Sequence, residues 1–342
     1  MFFASDNTSG VAPQIMEAMT RANAGYAKSY GADDIMARVR ARIREVFEAP
    51  DAEVHLVATG TAANALSLAL IAPPWSAIFA HEAAHIAVDE CGAPEFYTAG
   101  AKLIPVPGAH GKITPETLSA ALAQVGASGV HGVQRGCLSL TNVTEAGTVY
   151  TPAEIATLTA LAHRQGLPCH LDGARFANAL VATGATPAQM TWQAGIDVLS
   201  FGGTKNGCMG VEAVVLFDPA RAWELELRRK RAGHLFSKHR FLSAQFEAYL
   251  DGDLWLTLAR HANAMGQSLA QGLARVPGAS LMHPAPANML FPWLSPGTNA
   301  RAAARGAQYY AMQDGPREYA RFVASWSTTP EDVEALIAAL VP

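Results

Sequence analysis

Short apolar runs alternate with helical patterns along the first two thirds of the chain, and no other feature limits its possible folds as much. Candidate strands at Ala77 to Ala80, Leu103 to Val106, Cys137 to Leu140, Pro168 to Leu171, Ile196 to Phe201 and Val211 to Phe217 are separated by helical patterns such as Thr151 to Gln165 and Phe176 to Thr183. That alternation predicts an α/β fold with a mostly parallel sheet covered on both faces. After Ala232-Gly233 the pattern changes to long alanine-rich helices, Phe241 to Tyr249 and Leu254 to Ala274. Strands at Ala287 to Phe291 and Arg317 to Ala324 then precede a closing helix from Glu331. The change predicts a large domain over residues 1–250 and a smaller C-terminal α/β domain over 251–342. The Pro-rich stretches near Pro284 and Pro292 read as turns, and no internal repeat interrupts the pattern.

Composition narrows the function classes. The 342 residues are 50% apolar and 16% charged, enough for two domains sharing a large core. A net charge of −4 with scattered arginines leaves no footprint for nucleic acid. The one basic cluster, Arg228-Arg229-Lys230-Arg231, lies on a helix-like stretch near Glu224 and Glu226 and reads as a solvated or subunit-facing surface. No 18-residue apolar run predicts a membrane span, and the start Met1-Phe2-Phe3-Ala4-Ser5-Asp6 lacks the pattern of an export signal, so a cytoplasmic protein is expected. Cys91, Cys137, Cys169 and Cys208 are widely spaced, which suits a reducing compartment and reads as four small packing residues. The histidines show no metal-ligand spacing, and no metal is expected.

Chemistry concentrates at three strand ends. Ser200-Phe201-Gly202-Gly203-Thr204-Lys205-Asn206-Gly207 places a lysine among small, flexible residues after the apolar run Ile196-Asp197-Val198-Leu199. Glycines let the backbone approach a ligand, and a desolvated lysine gives up its proton more easily and can condense with an aldehyde. Upstream, Pro168-Cys169-His170-Leu171-Asp172-Gly173-Ala174-Arg175 ends a strand on an aspartate. A buried carboxylate needs a cationic partner, and the protonated pyridine nitrogen of pyridoxal phosphate (PLP) is one. One strand-helix-strand passage separates Asp172 from Lys205, so both are expected at neighbouring strand ends, where open α/β sheets bind ligands. The third element is Val54 to Ala58 followed by Thr59-Gly60-Thr61-Ala62-Ala63-Asn64. Glycine and hydroxyl residues opening a helix suit a phosphate, although plain helix capping uses the same residues.

These segments, with Ser5-Asp6-Asn7-Thr8-Ser9-Gly10, Tyr30-Gly31-Ala32-Asp33 and His81-Glu82-Ala83-Ala84-His85, resemble in order the low-specificity L-threonine aldolases, PLP enzymes of the aspartate aminotransferase fold. The resemblance runs from Ser5 to Lys205 and continues more weakly to Arg321. It implies a seven-stranded PLP-transferase sheet, and PLP held by Gly60, Thr61, His85, Asp172, Arg175, Thr204 and Lys205. Lys205 and His85 are the implied catalytic residues, and Ser5, Tyr30, Arg175 and Arg321 the implied contacts of a small amino-acid substrate. It also implies a homo-oligomer, dimer or tetramer, with Tyr30 reaching the site from or near the partner chain.

Each residue has a plainer reading beside that one. His85 can lie flat on the cofactor ring and handle protons, or simply pack against its own helix. Arg175 and Arg321 match a carboxylate with two parallel hydrogen bonds, or are ordinary surface arginines, with Arg317 competing for the second role. Ser5 can be a capping serine and Tyr30 a loop tyrosine. The expected reaction is cleavage of a β-hydroxy-α-amino acid to glycine and an aldehyde, with His85 or an ordered water as base. The sequence departs from the family at Ser139-Leu140-Thr141-Asn142-Val143, which continues with Thr144 where many members carry a histidine that meets the substrate hydroxyl. Threonine is no base at neutral pH, so weak control at Cβ is expected, and a bulkier substrate such as phenylserine stays open. An aminotransferase or β-eliminating lyase of the same fold, or a non-catalytic PLP-binding module, would share Asp172 and Lys205.

Overall fold

The computed structural model describes residues 1–342. Seven strands form the main sheet: β1 (Glu53–Val57), β2 (Ser76–His81), β3 (Lys102–Val106), β4 (Gln134–Thr141), β5 (Cys169–Gly173), β6 (Val198–Gly202) and β7 (Glu212–Leu216). Their order is β1-β7-β6-β5-β4-β2-β3, and only β7 runs antiparallel to its neighbours. Every residue of β2, β5, β6 and β7 is buried. Continuous apolar runs rather than alternating ones are therefore what these strands require, because helices cover both faces.

The helix Gly60–Ile71 shows how the sequence serves this layering. Ala62 through Ile71 are all buried, so a segment apolar on every side becomes a helix enclosed by the sheet and its neighbours. Five of the six expected strands extend earlier or later than their apolar runs, and β4 is the clearest case, beginning at Gln134 rather than Cys137. Strand pairing continues past the apolar centre because backbone groups, not side chains, make the ladder.

Five short strands form a second sheet: β8 (Ser280–Leu281), β9 (Met289–Leu290), β10 (Pro292–Leu294), β11 (Tyr310–Asp314) and β12 (Arg317–Val323). The run expected at Ala287 to Phe291 is an interrupted strand. β9 and β10 both pair with β12, and the break falls at Phe291, before a proline that has no N–H to donate. β11 is an additional strand, fully exposed and joined to β12 by Gly315-Pro316. Its residues alternate no apolar face, which is why pattern reading passes over it. A 15-residue apolar cluster underlies this sheet and includes Phe3, whose backbone pairs with Gln308 and Val323. The N-terminal segment thus adds to the smaller sheet's core before crossing to the main one.

Two surface readings are corrected. Arg229 is buried, donating to the Leu56 carbonyl and pairing with Glu226, so the basic cluster is not wholly solvated. Cys91 is exposed, unlike the other three cysteines, and so is no packing residue.

Candidate active site

The residues expected to hold the cofactor converge at the C-terminal edge of the parallel strands. A cavity of about 240 Å³ is lined by Gly60, Thr61, Asn64, His85, Asp172, Arg175, Thr204 and Lys205, together with Glu145 and Glu212. Loops after β1, β2, β4, β5 and β6 all contribute, and β7, running the other way, contributes its first residue. This is the edge at which open α/β sheets bind ligands.

The anion-binding end is the start of the helix Gly60–Ile71. Thr59 caps it by accepting the Ala62 amide at 3.1 Å. The amides of Gly60 and Thr61 belong to the first turn, have no intrahelical acceptor and line the cavity. Nothing lies within 4 Å of a Cβ added to Gly60, so this backbone faces open space. A phosphate meets donors and the positive end of the helix there.

Asp172 ends β5 as a buried carboxylate. It accepts the Asn64 side-chain amide at 2.9 Å and the Ala174 amide at 3.0 Å. Asn64 gives a second hydrogen bond to Glu90, which also binds His85 Nδ1 at 2.8 Å. The hydrogen bond that His85 gives to Glu90 is the main cause raising the His85 pKa, against an opposing effect of burial. One hydrogen-bonded chain, Asp172–Asn64–Glu90–His85, buried except at the half-exposed imidazole, therefore fixes both the carboxylate and the imidazole. Beneath Asp172, His170 bridges Ser139 and Ser200 at 2.9 and 3.0 Å, tying β4, β5 and β6 together. Burial lowers its pKa to about 4, so it stays neutral.

Lys205 sits in the turn after β6. A Cβ on Gly202 would stand 2.4 Å from the Ala174 carbonyl, and one on Gly203 2.7 Å from the Val211 carbonyl, so only glycine allows this approach. Glu212 accepts the Gly203 amide at 2.9 Å, and Asn206 donates to Tyr249 and to the Trp255 carbonyl, both at 2.8 Å. These contacts leave the lysine little freedom. The Arg175 charge and then burial lower its pKa, with Asp6, Asp172 and Glu145 opposing. Burial pushes the Glu212 carboxyl up to about 7.

Outside this cavity lies a cleft of about 610 Å³ lined by Ser5, His85, Glu145, Arg175, Lys205 and Arg321. Arg175 makes two hydrogen bonds to Asp6, at 2.7 and 2.9 Å, and both side chains are buried. Arg321 donates to the Ala4 carbonyl at 3.1 Å. Arg317 lines neither space and stacks on Trp293 at 3.6 Å. Ser5 accepts the Asn7 amide at 3.2 Å, and Thr204 accepts the Val211 amide at 3.1 Å. Tyr30 lies apart from the cavity of its own chain, with Lys230 4.7 Å from its ring centre.

Four lining residues escaped the sequence reading: Asn64, Glu90, Glu145 and Glu212. Asn64 stood in the quoted helix start, and its position one turn into an otherwise apolar helix was the available signal. The three glutamates carry no such mark, since only the fold turns them inward. A larger groove of about 740 Å³ runs beside Arg21, Arg38 and Arg42, but it holds no lysine, histidine or cysteine and its arginines are paired with acids.

The main cavity fits PLP. Open amides at Gly60 and Thr61 suit its phosphate, the buried Asp172 its pyridine nitrogen, and Lys205, its pKa lowered by the Arg175 charge and by burial, its aldehyde. The model of the β-eliminating lyase family matches residues 3–294. A low-specificity L-threonine aldolase from Pseudomonas aeruginosa is 42% identical over 98% of this chain and 95% of its own length. A second, from another Pseudomonas strain, is 40% identical over 98% and 96%. The solved threonine aldolase of Leishmania major superposes with a TM-score of 0.93 at 30% identity, covering 99% of this chain and 98% of that one. With the cofactor site assembled and similarity extending over nearly its whole length, the chain belongs to the low-specificity L-threonine aldolases of the β-eliminating lyase family.

Proposed function

We propose that the enzyme cleaves β-hydroxy-α-amino acids of L configuration, including L-threonine, L-allo-threonine and phenylserine, into glycine and an aldehyde. The observation that carries this reading is the meeting of Lys205 and Asp172 in one cavity that opens into an arginine-lined cleft. PLP, when bound, supplies an electron sink for the α-carbon.

The chain's own residues do the rest. Gly60, Thr61 and Thr204 would hold the phosphate end, and the Asp172 carboxylate would meet the ring nitrogen. Lys205, its pKa lowered by the Arg175 charge and by burial, is the residue that would bond the cofactor aldehyde. His85, its Nδ1 held by Glu90, would cover the ring face. Arg321 and Ser5 receive the substrate carboxylate, and Arg175, oriented by Asp6, adds positive charge beside it. Fixing the carboxylate fixes the hand of the α-carbon and aims the Cα–Cβ bond.

The division at residues 1–250 and 251–342 is part of the same reading, as is a cytoplasmic enzyme working as a dimer or tetramer. Four free cysteines support a reducing compartment. The distance of Tyr30 from its own chain's cavity supports its serving a neighbour.

Thr144 is buried and hydrogen-bonded to Thr148, so it does not meet the substrate hydroxyl. Without a histidine there, kcat/KM for L-threonine and L-allo-threonine should agree to within about 100-fold, or about 2.7 kcal/mol of transition-state binding. Aldehyde release from both substrates tests the reading. A wider ratio overturns the relaxed selectivity, and no aldehyde from either overturns the aldolase assignment.

A further inference from the structure

The turn after β4 exposes a group to which the resemblance assigns no role. Thr144 occupies the position where a histidine was expected, but its hydroxyl lies 2.8 Å from that of Thr148 and accepts the amides of Ala146 and Thr148. A Cβ on Gly111 would already stand 2.9 Å from the Thr144 hydroxyl, and one on Gly147 2.4 Å from the Met289 carbonyl. Asn142 closes the turn through two buried hydrogen bonds to the Tyr150 backbone. A turn packed this tightly has little freedom, and the side chain it sends into the site is that of Glu145.

Glu145 lines both the inner cavity and the outer cleft, and Lys205 lines both with it. Its carboxylate takes part in no hydrogen bond or ion pair within the chain, although Arg175, Lys205 and His85 lie near enough to attract it and Asp172 to repel it. An unpaired carboxylate facing a ligand site is a costly feature unless a ligand supplies its partner. His85, the alternative base, has its Nδ1 committed to the Glu90 carboxylate, so only its Nε2 is left to face a ligand.

We propose that Glu145 receives the β-hydroxyl of the substrate and accepts its proton as the Cα–Cβ bond breaks. This rests on the aldolase reading and adds the base that it lacks. The O–H bond breaks to the Glu145 carboxylate while the hydroxyl oxygen forms the carbonyl of the leaving aldehyde. The electron pair of the Cα–Cβ bond stays with the α-carbon, which takes a proton from a separate donor to become glycine. Glu145 then returns its proton to water, so no oxidant or reductant is needed. A lone carboxylate with no second group fixing the hydroxyl can follow either orientation at Cβ, which agrees with weak threo-erythro discrimination.

Burial is the main effect raising the Glu145 pKa, Arg175, Lys205 and His85 oppose it, and Asp172 reinforces it. Asp89 and Arg321 complete the charged surroundings of the cleft. Because the base must be ionised, kcat/KM should fall as pH drops through that raised value.

The test compares PLP-loaded wild type with Glu145→Gln, Glu145→Ala and Glu145→Asp. Cleavage of L-threonine is measured across pH, glycine binding by the change in cofactor absorbance, and exchange of the glycine α-proton with deuterium by NMR. Glycine has no β-hydroxyl. Glu145→Gln should therefore bind and exchange glycine within about threefold of wild type while cleavage falls at least about 100-fold. The acid limb of the pH profile should vanish from its residual activity, and Glu145→Asp should recover part of the rate. Cleavage within threefold of wild type with the same acid limb would overturn the proposal, as would parallel loss of glycine binding and cleavage in all three variants. If wild type itself makes no glycine from L-threonine, it is the aldolase reading that fails.

Discussion

At the residue scale, function depends on a few charged groups held out of water by neighbours that fix their positions. Lys205 cannot be replaced by another amine, because the glycines on its amino side and Asn206 hold this one lysine against the cavity. Borohydride reduction of the PLP-loaded protein followed by peptide mapping should label Lys205 alone. Lys205→Ala should lose the label and almost all turnover, whereas a label on another lysine would contradict the assignment. Asp172→Asn keeps the size of the side chain and can still meet Asn64, so PLP should be retained in part. Turnover should fall about 100-fold or more, since an amide cannot oppose the charge of the ring nitrogen. Wild-type rates in that variant would make Asp172 a structural residue only.

At the scale of elements, the N-terminus of the helix Gly60–Ile71 combines a structural and a binding task. Thr59→Ala removes the cap, which should cost about 1 kcal/mol of stability. Calorimetry should show the same loss in apo and PLP-loaded protein if Thr59 is only a cap, and a larger loss in the loaded form if it also steadies the phosphate amides. Much of this organisation was legible beforehand. The strand ends carrying Asp172 and Lys205, and the helix start at Gly60-Thr61, could be read because apolar strands and turn glycines leave local signals. Other parts could not be read in this way. β11 is exposed throughout and shows no alternation, β10 begins on a proline, and Glu145 becomes a site residue only because Thr144 beside it turns inward. Such choices depend on tertiary packing, which a local pattern does not encode.

At the scale of the whole molecule, Asp6 joins three regions: the N-terminal segment, Arg175 after β5, and Asn288 before β9. Burial opposes ionisation of Asp6, but the charges of Arg175 and Lys205 and the hydrogen bonds of Arg175 and Asn288 outweigh it and lower the pKa. A lowered carboxyl pKa adds stability that is present above the unfolded-state value, about 4, and is lost as pH falls through the folded-state value. Asp6→Ala leaves Arg175 buried without its partner and should cost about 3–5 kcal/mol at neutral pH. Its thermal stability should also change less than that of wild type on acidification below about pH 4; an unchanged acid profile would contradict the role of Asp6. The central claim, that this one assembled cavity breaks the Cα–Cβ bond, is tested most directly by supplying L-threonine labelled with carbon-13 at Cα and following the label by NMR. Wild type should move it into glycine with one equivalent of acetaldehyde, and Lys205→Ala should leave it in threonine. Label appearing in a keto acid, with ammonia or an aminated acceptor in place of acetaldehyde, would contradict the account.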